Sequence, residues 1–385
     1  MTEKVKLNEI TDIYLGVTHT PEYVLDGVPF LSVKDISGGK ICFDECKFIS
    51  QKEYNSLSEG AKPKVGDMLF CRVGTIGKPI IIPEGTPLFG SFVSLGYLRN
   101  KAKDRCNLNY LRYWMYSNSF WKQVNKNVKG ASQVNLNTGW LSNFEIRLPD
   151  FSEQTYIVSI LDKCKLIIER REEELKKFDN LIRARFVEMF GEGLKDDGKF
   201  KLKPISEIGQ VVSGATPKTS RYEYWNGDNV WITPAELSDE SFVIYDSERK
   251  LTYEGVDSCA VTLLPVGTVI LSSRAPIGKV AIAGVEMYCN QGFKNIIPRN
   301  VVSSIYLYEL LKMETEYLKS LGRGATFKEI SKQIVENIRV KVPPIELQNQ
   351  FATFVAKVDK SKVEVKRALD EAQLLFDSLM QKYFG

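Results

Sequence analysis

The chain has 385 residues, 43% hydrophobic and 26% charged, with a formal net charge of +4. That is room for two or three domains and a sizeable core. No apolar run reaches the length of a membrane span, the opening MTEKVKLNEI is too polar for a signal peptide, and seven irregularly spaced cysteines point to a reducing cytoplasm rather than a disulfide framework.

In chain order, LNEITDIYLGVT (7–18) leads into a region of short predicted strands. His19, the only histidine, falls in a loop there. Cys42 and Cys46 are the closest cysteine pair; zinc would need two further ligands, and partly buried thiols are the plainer reading. DMLFCRV and KPIIIP are rich in β-branched and apolar residues between Gly and Pro, so they read as strands around the turn of VGDMLFCRVGTIGK (65–78). From Arg99 to Lys129 there are eight Lys/Arg against one acid, Asp104. Such a cluster fits either a phosphate-facing surface or a solvated helix face. NYLRYWMYSNSFWKQV (109–124) has the three- and four-residue apolar spacing of one helix.

After Pro149 a run without Pro or internal Gly ends in RFVEMFG (185–191). Proline at the entry and glycine at the exit are the punctuation of a helix. The glycine-rich, charged GEGLKDDGKFK (191–201) reads as a linker. Then the series repeats. ISEIGQVVSGAT (205–216) resembles 7–18, and VGTVILSSRAPIGK (266–279) lies against 65–78 at an offset of 201. Strands GTVILSS and KVAIAGV and a helix over 303–321 follow. VKVPPIELQ (340–348) matches IRLPDFSEQ (146–154), and Phe384-Gly385 matches Phe190-Gly191, both at an offset of 194. The drift in offset places insertions in the variable part and none in the tail.

The expected architecture is therefore α+β: two α/β domains in tandem (1–149 and 201–343), each followed by a long helix (150–191 and 344–385), with 192–200 joining the copies. A seam at heptad-like spacing takes Leu161, Cys164, Ile168, Arg171, Leu175, Phe178, Ile182, Arg185 and Met189 in the first tail. In the second it takes Val355, Val358, Lys362, Val365, Leu369, Ala372, Phe376, Leu379 and Tyr383. A helix with such a stripe cannot bury it alone, so the two are expected to pair as a coiled coil. Helices of about 35 residues rise roughly 50 Å, about one and a half turns of duplex DNA at ~34 Å each. A pair of that length would act as a spacer between two heads.

The order of these motifs resembles the specificity subunit of type I restriction–modification systems across essentially the whole chain. The residues that carry it are SGATP (213–217), RAPIGKVAI (274–282), NQGF (290–293), GATFKEIS (324–331), VPPIELQNQ (342–350) and the RFVEMFG ending. The first copy departs from the pattern, with GVTHTP (16–21) for SGATP and GSFVSLG (90–96) near the NQGF position. The resemblance implies two target-recognition domains, each reading one half of a bipartite double-stranded DNA target. It implies two helices pairing antiparallel, setting the gap and docking two methyltransferase subunits, with motor–nuclease subunits completing a DNA-methylation and host-defence complex. S-adenosylmethionine, ATP and Mg²⁺ would belong to those partners, with no cofactor or metal in this chain.

A search for catalysis agrees with a targeting subunit: there is no GxxxxGK[ST] loop and no [DN]PP[FY] motif. Pro149-Asp150 with Glu174-Leu175-Lys176 imitates a nuclease pattern, but about 24 helical residues would hold the acids roughly 36 Å apart. Base and phosphate contacts need polar and basic side chains on loops. In the first copy the candidates are Lys34, Arg72, Lys129, Ser132, Gln133 and Asn135. In the second they are Thr216, Lys218, Arg274, Lys294, Arg323, Thr326 and Lys328. Gly74, Gly77, Gly278 and Gly292 are expected to shape the turns. Tyr110, Trp114, Trp121 and Tyr306 sit at helical spacing and read as core. The competing reading is a two-headed coiled-coil protein scaffold without DNA specificity.

Overall fold

The computed structural model describes residues 3–127, 135–238, 240–274, 276–324 and 328–385. The chain divides into two compact units, Met1–Glu172 with Arg367–Gly385, and Glu173–Lys366. The division cuts each long helix in two, so each unit holds one head and a piece of both helices.

In the first unit, a four-stranded antiparallel sheet runs in the order Thr11–Leu15, Leu95–Asn100, Met68–Cys71, Gly77–Ile81. A second sheet runs Tyr23–Val24, Lys47–Ile49, Val28–Leu31, Gly90–Ser91, its last pair parallel. Glu3–Lys6 and Glu145–Leu148 form a separate antiparallel ribbon. In the second unit the larger sheet has five strands, Gly209–Ser213, Lys294–Pro298, Val269–Leu271, Val280–Ala283 and Val243–Ile244. The smaller has three, Arg249–Leu251, Trp225–Ile232 and Tyr288–Cys289. Leu202–Pro204 and Arg339–Lys341 repeat the ribbon. The predicted strands thus fall where β-branched residues bury themselves: Val269–Leu271 and Val280–Ala283 are buried throughout.

Each predicted head helix is broken. Leu108–Trp114 and Asn118–Asn127 replace one continuous helix, and Ser304–Met313 and Thr315–Ser320 replace the other. Ser117 makes the first break: its hydroxyl donates to Trp114 O (2.7 Å) and accepts from Phe120 N (3.3 Å), restarting the helix. Thr315 does the same toward Lys312 O at 2.9 Å.

The long helices span Phe151–Phe190 and Ile345–Phe384, 40 residues each. Asp150 caps the first, accepting from Glu153 N at 2.9 Å. One turn in, Gln154 and Gln348 are fully buried and do the same work. Gln154 Nε2 donates to Arg105 O and Pro149 O, and its Oε1 accepts from Asn107 N; Gln348 does so with Val301 O, Pro343 O and Ser303 N. Every position of both sequence seams is buried or half-buried. In the first unit the start of the first helix (Ile157, Val158, Leu161) shares a core with the end of the second (Phe376, Leu379, Phe384). In the second unit the end of the first (Ile182, Phe186, Phe190) shares a core with the start of the second (Phe351, Val355, Val358). The pairing is antiparallel. Lys362, a polar interruption in the seam, crosses to Asp179 at 2.8 Å.

The repeated Phe-Gly ending has a packing cause. Phe190 lies 4.8 Å from the Tyr306 ring and Phe384 lies 4.8 Å from Tyr110, each on the head helix of its unit. Both tyrosine hydroxyls then donate at 3.0 Å to the ribbon strand, to Lys341 O and Arg147 O. Gly191, at φ +80°, stops the first helix with its N–H on Val187 O.

Candidate nucleic-acid interface

Three segments meet at one turn in each head, and backbone hydrogen bonds show how. In the second head, Ser273 N donates to Gly292 O (2.8 Å) and Ile330 N donates to Ser273 O (2.9 Å). The RAPIGK, NQGF and GATFKEIS motifs are thereby tied together. In the first head, Arg72 N donates to Ser94 O (2.9 Å) and Leu136 N to Arg72 O (2.9 Å). Arg72 is therefore the counterpart of Ser273, and Arg274 that of Val73. The bridges agree: Val73 pairs with Asn135 as Arg274 pairs with Glu329. The opening motif joins the same turn. A Cβ on Gly16 would lie 2.2 Å from Ser91 O, and one on Gly214 would lie 2.0 Å from Cys289 O. Only glycine fits so close a backbone approach.

The sequence candidates take different roles on this scaffold. Arg72 is engaged, its Nε donating to Asn135 Oδ1 (3.0 Å) and Leu136 O (3.1 Å) and Nη1 to Val93 O (3.1 Å). Arg72, a candidate for DNA contact from the sequence, thus ties the three segments together. Asn135 is exposed and is oriented by the same bond. Lys294 is likewise engaged within the head. It is buried, and its ammonium pairs with Glu329 at 3.0 Å instead of facing solvent. Thr216 donates to Gln291 Oε1 at 2.5 Å. Arg274 is half-buried; Lys218, Arg323 and Lys328 are exposed. Lys34 is exposed on a single 3-10 turn, Val33–Asp35, at the rim of a cleft of about 260 Å³ that also holds Lys47. Lys129, Ser132, Gln133 and Thr326 lie outside the described residues.

Gly74, Gly77 and Gly278 have φ of +72°, +86° and +90°, the left-handed region that favours glycine. Gly292 has another reason: a Cβ there would meet Pro234 Cγ at 2.8 Å.

Four cations of the basic stretch are engaged within the head. Arg99 is bidentate to the buried Asp67 (2.9 and 2.7 Å) and lies over Tyr14 and Tyr97. Lys101, Arg105 and Arg112 pair with Asp12, Glu3 and Asp162. Lys103, Lys122 and Lys126 remain exposed. Tyr110, Trp114 and Tyr306 are core, and Trp121 is half-buried. Burial pushes the Cys71 thiol up to about 11 and the Cys106 and Cys289 thiols up to about 12, the reverse of what a metal ligand or nucleophile needs.

Two features escaped the sequence reading. Ser32-x-x-Asp35 and Thr233-x-x-Glu236 form capping boxes at the same offset of 201, each carboxylate accepting from the backbone N and hydroxyl of its cap at 2.6–3.0 Å. The S/T-x-x-acid spacing was there to find them. Exposed Tyr222 and Tyr253 sit on neighbouring segments, joined by Thr252 bonding to Glu223 O and Tyr224 O. No local pattern separates such tyrosines from core ones.

Two unlike α+β heads on one duplicated frame, each closed by a long helix of an antiparallel pair, define a class of protein. The family model for the type I restriction modification DNA specificity domain matches residues 2–177 and again 198–372, and the chain belongs to that family. It is 42% identical over 173 residues to the type I restriction enzyme MjaIX specificity subunit of Methanocaldococcus jannaschii, covering 44% of this chain and 40% of that one. It is 23% identical over 374 residues to the putative MjaX specificity subunit of the same organism, covering 89% and 82%. With the Escherichia coli EcoR124I/EcoR124II specificity subunit the identity is 27% over 240 residues, 57% of each. Among solved structures, the S subunit of a type I restriction–modification system from M. genitalium superposes with a TM-score of 0.61 at 15% identity, covering all of this chain and 96% of the other. A chain from a structure of type I complex assembly gives 0.60 at 18%, covering all of this chain and 97% of the other. These structures share the fold.

Proposed function

We propose that this chain is the DNA-sequence-recognition subunit of a type I restriction–modification complex. It carries no catalysis; adenine methylation and ATP-dependent cleavage, with S-adenosylmethionine, ATP and Mg²⁺, lie in two methyltransferase subunits and the motor–nuclease subunits it directs. Each head reads one half-site, and the paired helices set the gap between them. The observation that carries this reading is the contrast inside the duplication. The Gln154/Gln348 and Tyr110/Tyr306 joints repeat bond for bond, while the converging turns present different side chains. A frame kept identical under two unlike reading surfaces suits an asymmetric, bipartite target.

Within each head, the proposal assigns DNA contact to Asn135 and the exposed Lys34 in the first, and to Thr216, Lys218, Arg274, Arg323 and Lys328 in the second. Asn suits adenine and Arg suits guanine, while the lysines suit phosphate. The test is to co-express the chain with its methyltransferase subunit and map N6-methyladenine across the host genome. A new motif of two unlike halves with a fixed gap is expected. A soluble complex that adds no motif would overturn the proposal.

A further inference from the structure

The smaller sheet of each head carries a cation laid on an aromatic ring. In the first head the Lys47 ammonium lies over the Tyr23 ring, 4.0 Å from its centroid. In the second the Arg249 guanidinium lies over the Trp225 ring at 3.4 Å. Strand register makes the two arrangements equivalent. Tyr23 pairs with Ile49 as Trp225 pairs with Leu251, and Phe30 pairs with Lys47 as Trp231 pairs with Arg249. The glycine between them agrees: a Cβ on Gly27 would lie 2.4 Å from Ile49 O, and one on Gly227 would lie 2.3 Å from Leu251 O. A second ring backs each pair, Phe30 at 6.2 Å from Tyr23 and Trp231 at 5.1 Å from Trp225.

The geometry is kept while the chemistry changes, with lysine and tyrosine where the other copy has arginine and tryptophan. A ring face holds a cation through its negative quadrupole but leaves the charge uncancelled. Arg99 is the contrast: it lies over two tyrosine rings but is also bidentate to Asp67. Lys47 and Arg249 are exposed and, among the described residues, neither is in an ion pair. Both stand beside the candidate reading residues. Lys47 and Tyr23 line the same cleft as Lys34. The Trp225 and Trp231 indoles donate to Lys218 O (3.4 Å) and Ala215 O (3.1 Å), on the segment that carries Thr216.

Given the DNA-recognition role proposed above, on which this rests, we infer that Lys47 and Arg249 are matched phosphate contacts, one to each half-site, held in place by their rings. Two heads that read unlike bases have only the sugar–phosphate backbone in common, so a cation kept at one register in both meets the part of the ligand that does not vary. The exchange of Lys for Arg fits the same role. A point charge serves a phosphate as a guanidinium does, but it cannot replace the bidentate hold of arginine on guanine. The ring also restricts the side chain before DNA arrives, so less freedom is lost on binding.

The test uses the full-length chain in complex with its methyltransferase subunits, titrated over a range of salt with a fluorescent duplex carrying the methylated target. Lys47→Gln and Arg249→Gln should each weaken binding and reduce the slope of log K against log salt by about 1, and the double variant by about 2. Lys47→Arg and Arg249→Lys should keep the native slope, and every variant should methylate the same two half-sites. A purely structural role would lower stability, read by a denaturation curve for each variant, without moving the slope. A native slope in the glutamine variants, or a motif altered at one half-site, would overturn this inference and leave DNA recognition standing. A native complex without salt-dependent duplex binding would overturn both.

Discussion

Gln154 and Gln348 each hold three backbone groups one turn inside a long helix, with the same partners at matched positions. Less regular is the strand pair above them. At the places where the first head sets Arg99 on Asp67, the second carries Ile297 and Thr268, because Met68 pairs with Leu98 as Val269 pairs with Ile296. Likewise Tyr113, hydrogen-bonded to Asp162 at 2.5 Å, corresponds to the buried Glu309. The difference shows which contacts the frame requires. Joints that fix the helix to the head repeat; pairs inside the head are solved separately by each copy.

The strongest way to break this comparison is to change the frame alone. Inserting one heptad in both long helices should lengthen them by about 10 Å, so methylation of the original target should vanish and reappear with both half-sites kept and the gap about three base pairs longer. Genome-wide methylation mapping reads this, and an unchanged gap would refute the spacer role.

Next come the pairs that only one copy has. Arg99→Met leaves the carboxylate of Asp67 buried without its cation and should destabilise the first unit by about 3–5 kcal/mol; the second unit, with Ile297 there, should be untouched. Lys341→Ala opens a cavity and strands two carbonyls, so it should cost the second unit about 2–4 kcal/mol. Arg147→Ala at the matching exposed position should stay within about 0.5 kcal/mol. Denaturant unfolding with a probe in each unit measures all three.

Glu309 gives a pH signature. Desolvation raises its carboxyl to about 7, with Asp179 adding and Lys312 and Lys362 opposing. The folded state therefore holds this proton more tightly than the unfolded one. Its contribution is full below the unfolded value near 4.5 and is lost as pH rises toward about 7. Glu309→Gln should flatten that decline and stabilise the second unit by about 1–3 kcal/mol at alkaline pH. A slope unchanged by the substitution would count against the assignment.

The smallest effects on stability should separate the turn arginines. Arg72→Ala should cost the first head about 1–3 kcal/mol by releasing three acceptors. Arg274→Ala should cost no more than about 0.5 kcal/mol, yet relax base preference in the second half-site only. Equal change at both half-sites would sink the placement.

Much of the frame was legible because it is periodic or punctuated. Both 40-residue helices and their seams follow from spacing, with Pro and Gly at the ends. The head helices were misread as continuous because the hydroxyls of Ser117 and Thr315, which break them, look ordinary at the surface of a helix. The ion pairs of the basic stretch and of Lys294 were not legible, because charge is visible in a sequence but the carboxylate that neutralises it is not. Arg99 and Asp67 are 32 residues apart, and Lys294 and Glu329 are 35 apart.

By itself, then, the sequence determined the duplication, the long paired helices, the variable heads and the glycine turns, since each is written in local pattern or self-similarity. Tertiary structure alone decided that Arg72 is held by Asn135, Leu136 and Val93, and that half of the cationic cluster is spent on ion pairs. Each of those depends on which distant segments meet, and burial and pairing energies act through space rather than along the chain.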